Sequence, residues 1–239
     1  MDAVRAQKYA RIAGVLYVVS LVAGGFGESY VPQTLHIAND VAGTAHRMAA
    51  SAGLFRASFA AYLVEAACDL TLTVLLYALL RPVSRTLSLL AACFGLFGTI
   101  IFAAGEIFYF AAALPVVDSH VARLISLDAQ ATLTYLCLTI FNYVFGIFAA
   151  FYGIAGVVRG FLIFRSGYLP RALGVILICG GLSFVSFNFL LVLAPKYNPP
   201  YAIAPMVLAM VSMMLWLLVK GVDRTHWDEM QTREAATGN

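Results

Sequence analysis

Polar and apolar positions alternate along this chain on the scale of whole helices. Six apolar runs, about Arg11–Val31, Leu54–Leu80, Leu87–Pro115, Ala131–Val158, Ala172–Ala194 and Tyr201–Val219, are separated by short polar or basic stretches. A helix rises 1.5 Å per residue and a hydrocarbon core is about 30 Å thick, so each run is long enough to cross a bilayer. Between the first two runs, Asn39-Asp40 has the chemistry of a helix N-cap. It predicts a short surface helix through about Ala50. The pattern therefore predicts an all-α, polytopic membrane protein. It would have a single six-helix transmembrane domain over residues 1–220 and a polar tail over 221–239 that frays at its end.

The second run departs from uniform apolarity in an ordered way. Ser58, Tyr62, Glu65, Asp69 and Thr73 recur at steps of three or four, which places them on one helical face. In a lipid-spanning helix such a stripe must face protein or a water-filled space. Glu106 adds a carboxylate within the third run, Asn142 an amide within the fourth and Asn188 one within the fifth. Counted from the outer ends of their runs, Glu65, Glu106 and Asn142 all lie at about 15–16 Å, near the bilayer midplane. That coincidence predicts one polar chamber shared by three helices.

Composition agrees with the pattern. Hydrophobic residues make up 62% and charged residues 11% of the 239 positions, against roughly a quarter charged in soluble domains. Mean hydropathy is +0.88. The first run is too long for the core of a secretory signal and has Glu28 near its end, so it reads as a retained anchor. Cys68, Cys93, Cys137 and Cys179 all fall within apolar runs without metal-ligand spacing and read as small buried side chains. A net charge of +3 is too small to suggest nucleic acid. Its distribution says more. Eleven of the 15 Lys and Arg residues fall at the amino end, in the second and fourth loops or in the tail. By the positive-inside rule, both termini are expected in the cytoplasm. The basic turns Arg81–Arg85 and Arg159–Arg171 then serve as orientation signals and secondary contacts for anionic lipid. Tyr77, Tyr109, Tyr168 and Tyr201 fit an aromatic belt at the membrane boundaries. The turn between the second and third runs and that between the fourth and fifth also echo each other faintly in sequence.

Three segments carry a family resemblance: ARIAGVLYVVSLVAG, SAGLFRASFAAYLVEAACDLTLTVLLYALLRPVSRTLSLLAACF and FRSGYLPRALGVIL. In order and content they resemble the bacterial multi-pass membrane family catalogued as domain of unknown function four-three-eight-six. The GLFR, LLYxLLRPV and RSGYLPR pieces are its most specific marks. The resemblance implies a six-helix protein of the bacterial inner membrane and no established activity.

Candidate chemistry rests on the intramembrane carboxylates. An ionised carboxylate near the midplane costs at least about 2.5–3.5 kcal/mol, whereas interhelical hydrogen bonds in membranes average below about 1 kcal/mol. Helix cohesion alone is a weak return on that penalty. Glu65, Asp69 and Glu106 are thus the candidate proton- or cation-binding groups, with Tyr62, Asn142 and Asn188 as cargo-positioning residues. Glu28 and Arg56, near the outer ends of adjacent helices, are expected to form a salt bridge. Alternatively Arg56 grips an anionic headgroup at the mouth of the chamber. His36, His46 and His120, with nearby Asp40, Asp118 and Asp128, match no metal motif and read as solvated loop residues, so no metal is assigned. The methionines of the sixth run, Met206, Met210, Met213 and Met214, read as packing. No nucleotide-binding loop, HExxH, GxSxG or CxxC is present.

Three functions remain open. One is a protein binding a small hydrophobic or lipid-like molecule in the acidic chamber, with a proton-coupled carrier as one form of it. Another is an intramembrane enzyme using protonated Glu65 or Glu106 as general acid on an isoprenoid or lipid, with Phe59, Phe102, Phe141 and Tyr143 shaping its pocket. The last is a membrane scaffold. The sequence identifies no cofactor.

Overall fold

A computed structural model describes residues 1–35, 40–199 and 201–237, and every regular element among them is helical. In chain order these are α1 (Ala3–Gly24), a π-helical segment (Gly25–Tyr30), α2 (Val31–Leu35), α3 (Val41–Ala50), α4 (Ala52–Leu80), α5 (Arg85–Val117), α6 (Ser119–Leu124), α7 (Leu127–Ser166), α8 (Arg171–Leu193), α9 (Ala204–Val219) and α10 (Arg224–Thr237). Five helical stretches are long and apolar enough to cross a membrane: Ala3–Leu35, Ala52–Leu80, Arg85–Pro115, Leu127–Ser166 and Arg171–Leu193. A sixth span is complete only if the bent pair Ala204–Val219 and Arg224–Thr232 is counted as one.

That last pair departs from the sequence reading. The sixth apolar run yields a helix of 16 residues, about 24 Å long, which is short for a 30 Å core. At its end Gly221 takes φ +73°, a left-handed conformation that stops helices at low steric cost. The chain then turns by 98° into α10. α10 is helical through Thr237, and His36, Asn39 and the two final residues lie outside the described residues.

Side-chain capping appears where the sequence predicted it. Asp40 accepts from Gly43 N at 2.8 Å and starts α3. The loop expected at 116–130 is largely helical. Asp118 caps α6 there, accepting from the His120 and Val121 amides at 2.8 and 3.3 Å.

The chain divides into two compact units. The first comprises Met1–Val18, Cys68–Thr99 and Gly146–Asn239. Small residues bring its helices close together: a Cβ on Gly153 would lie 2.6 Å from the Gly181 carbonyl oxygen, so α7 and α8 touch backbone to backbone. Its terminal helix is fastened by Trp227, which is 0% exposed. The Trp227 indole meets the Tyr168 ring edge-on at 4.9 Å and donates to Met1 O at 3.1 Å. Gln7 receives a bond from Val222 N (2.9 Å) and donates to Lys220 O (3.0 Å), holding both sides of the bend. Tyr168 donates to Leu79 O at 2.6 Å, linking the two basic turns whose sequences echo each other. Tyr168 and Tyr109 are therefore buried hydrogen-bonding residues, not belt residues; Tyr201 is exposed.

The second unit comprises Val19–Ala67 and Ile100–Phe145. It contains the π-helical segment, α2, α3, the start of α4, the end of α5, α6 and the first half of α7.

Candidate functional site

The polar stripe of α4 is buried along its whole length: Ser58, Tyr62, Glu65, Asp69 and Thr73 are all inaccessible or nearly so. Its first three residues belong to the second unit and its last two to the first.

In the second unit the stripe meets the π-helical segment. A π-helix bonds each amide to the carbonyl five residues back, so it shifts the register of carbonyls and often marks function. Here the Gly27 carbonyl accepts from Tyr62 Oη at 2.9 Å and from Ser58 Oγ at 3.4 Å. Ser58 Oγ also shares a 2.8 Å bond with Tyr109 Oη, which ties α4 to α5. Gly24 makes room for Glu65: a Cβ there would lie 2.8 Å from the Glu65 carboxyl carbon. Any side chain at that position would push the acid aside.

Glu106 sits on α5 among these groups. It is 2% exposed, and neither carboxyl oxygen has a hydrogen-bond partner among the described residues. Buried polar atoms are nearly always paired, and leaving one unpaired costs about 1–3 kcal/mol. Such an exception in a native fold calls for an explanation beyond packing. The Tyr62 hydroxyl lies within electrostatic reach of Glu28, Glu65 and Glu106 together. Aromatic rings enclose the same region. Tyr62 meets Phe102, Tyr109 and Phe141 edge-on, with centroids at 5.7, 5.0 and 5.5 Å. Tyr109 in turn stacks on Phe55 at 4.6 Å. The arginines of this unit, Arg47, Arg56 and Arg123, are all exposed.

Several expected members fall elsewhere. Asn142 is exposed, because its α7 face turns outward while neighbouring Phe141 turns in; Tyr143 is exposed as well. Asn188 belongs to the first unit, where its Oδ1 would lie 2.9 Å from a Cβ on Gly146. Arg56 is exposed, and no ion pair joins it to Glu28 among the described residues. Phe59 packs on Phe110 at 5.1 Å. No cluster of three or more metal-ligating side chains occurs among the described residues.

Asp69 belongs to the first unit, as does Arg159, which the charge pattern alone marks as a surface orientation signal. Arg159 is 4% exposed. Its guanidinium donates to Thr73 Oγ1 at 3.0 Å and lies over the Tyr152 ring at 5.7 Å. Tyr17 lies within electrostatic reach of both Arg159 and Asp69. Gly95 leaves the space the guanidinium fills, for a Cβ there would sit 3.4 Å from Cζ and closer still to Nη2. The signal was available: Arg159 lies between GIAGVV and FLIF, with apolar residues on both sides, and α7 runs unbroken past it to Ser166.

Fold and site define a class: an all-helical protein with five or six apolar helices of membrane-spanning length and carboxyl groups buried among them. Residues 12–221 match the family described as Domain of unknown function (DUF4386), and the chain belongs to that family. No curated protein and no solved structure matches it.

Proposed function

We propose that this is a multi-pass protein of the bacterial cytoplasmic membrane, with six spans and both termini in the cytoplasm. It binds a small hydrophobic or lipid-like molecule beside the acidic residues of the second unit and couples that binding to protonation. Glu106 is the proton-binding group, with Glu65 and Glu28 as its acidic neighbours. Tyr62, Tyr109 and Ser58 fix the geometry through the π-helical carbonyl. The orientation rests on the basic asymmetry between loops. The single observation that carries the reading is the Glu106 carboxyl, fully buried with two unpaired oxygens. An acid in that setting is poised to change protonation when something polar enters or leaves.

The test is proton flux in reconstituted vesicles carrying a pH-sensitive dye, with Glu106→Gln as the comparison. Flux that rises with an added amphiphile and disappears in Glu106→Gln supports the carrier. Product formation in detergent without flux would select the enzyme. Unchanged behaviour of Glu106→Gln in both assays would leave a scaffold.

A further inference from the structure

The chemistry around Glu106 narrows the ligand class, an inference that rests on the reading just given. We infer that the second unit takes a hydrophobic organic cation, an amine or onium ion carrying apolar groups, whose charge replaces the proton of Glu106.

Three features select that class. The buried carboxyl is acceptor-only once ionised, so its complement is a positive charge or a donor. The arginines of the unit are exposed and supply no buried one. The walls come next. Tyr62 and Phe141 meet each other and each meets Phe102 and Tyr109, at 5.0–6.2 Å between centroids. Aromatic faces attract cations, and desolvated sites favour onium ions most strongly. Finally, the carboxylates around Tyr62 do not converge on a point: no three metal-ligating side chains gather among the described residues. A compact metal ion would find too few ligands at one point, whereas an organic cation needs only the one carboxyl and the ring faces beside it.

The rings are closed edge-to-face in this structure, so a cation enters by displacing one of them. Two hydrogen bonds, Tyr62 to Gly27 and Tyr109 to Ser58, hold the closed arrangement. The titratable groups that act on Tyr62 together with Glu106 are Glu28 from the π-helical segment, Glu65 from α4 and Tyr109 on α5 itself; α7 contributes the Phe141 ring. Charge balances in the exchange: one monocation enters, and the carboxyl of Glu106 releases one proton to bulk water.

The probe is radiolabelled tetraphenylphosphonium, measured by equilibrium dialysis against purified full-length protein in detergent, with neutral triphenylphosphine oxide as comparator. Saturable binding of the cation is expected, with release of about one proton and affinity falling as pH is lowered. Glu106→Gln should weaken it at least about tenfold. Phe141→Leu, which keeps the carboxyl, should weaken it by about threefold to thirtyfold, the range for a lost cation–π contact. That second variant keeps the test decisive if Glu106→Gln fails to fold. Equal binding of the neutral comparator, unaffected by pH or by Glu106→Gln, overturns the cation assignment but leaves a hydrophobic-ligand site. Binding of neither compound, with Glu106-dependent flux intact in vesicles, likewise overturns the assignment and spares the carrier reading.

Discussion

Replacing Glu106 by leucine should make the protein more stable and functionally dead. The carboxyl occupies a site with 2% exposure, and its two oxygens have no hydrogen-bond partner among the described residues. Each unsatisfied buried polar atom carries a penalty of about 1–3 kcal/mol, and an apolar side chain of similar shape removes it. Leucine also gains contact with the surrounding rings, and it is somewhat shorter than glutamate, so part of the gain is lost to imperfect packing. Taking the low end for both oxygens and discounting for the fit, the net stabilisation is about 1–2 kcal/mol. For a chain of this size that is roughly 2–4 °C in Tm per kcal/mol. The assay is thermal unfolding in detergent, followed by size-exclusion of the heated sample, run beside the vesicle flux measurement. The sign decides the matter. A buried acid kept for activity shows a stability gain with loss of flux. If Glu106→Leu instead loses about 2 kcal/mol or more, the carboxyl holds helices together, and the case for a functional site fails.

Other consequences are open to direct measurement. Tyr62→Phe removes the bond to the Gly27 carbonyl and should cost about 1 kcal/mol; amide exchange should quicken in the π-helical segment before it does elsewhere, and uniform exchange across the chain would count against that link. Gly95→Ala should displace the Arg159 guanidinium from Thr73 and lower Tm by several degrees, whereas Gly25→Ala, where a Cβ meets nothing within 4 Å, should be tolerated; equal effects would refute the packing argument. Trp227→Ala should release α10, since it deletes a fully buried ring and its bond to Met1, a loss of about 3–5 kcal/mol on the scale of buried aromatics; protease cleavage confined to residues after Gly221 is the expected readout. The start of α10 should also loosen in acid. The backbone N–H of His226, aided by its imidazole and the Thr225 amide, holds the Asp223 carboxyl below the ordinary carboxylate range. A group whose folded pKa is depressed stabilises fully above its unfolded value of about 3.9 and loses that contribution as pH falls through the folded one. Faster exchange at Thr225 and His226 below about pH 4, abolished in Asp223→Asn, checks it.

Much of the architecture was legible because it follows from local physics. Long apolar runs must become helices wherever water is absent, since only a helix satisfies its own backbone. The α4 stripe was legible for the same reason: residues three and four apart share a face whatever surrounds it. Asp40 capped its helix as its chemistry required. Other features depended on what lies across from a residue. Depth along a run places Asn142 level with Glu65 and Glu106, but not which way it points, and its side chain faces out. A charge count made Arg159 a cytoplasmic signal, whereas the space left by Gly95 and the acceptor on Thr73 draw it inside. The same holds for Tyr109 and Tyr168, whose hydroxyls find partners on neighbouring helices.

Taken alone, then, the amino-acid order determined that long apolar helices form and that one face of α4 is polar, because both depend on residues close together in the chain. Only the tertiary structure decided that Glu28, Glu65 and Glu106 all act on Tyr62 and that the Glu106 carboxyl finds no hydrogen-bond partner among the described residues. It also decided that an arginine lies buried in the first unit. Those outcomes rest on contacts between residues dozens of positions apart, on which helical periodicity has no bearing.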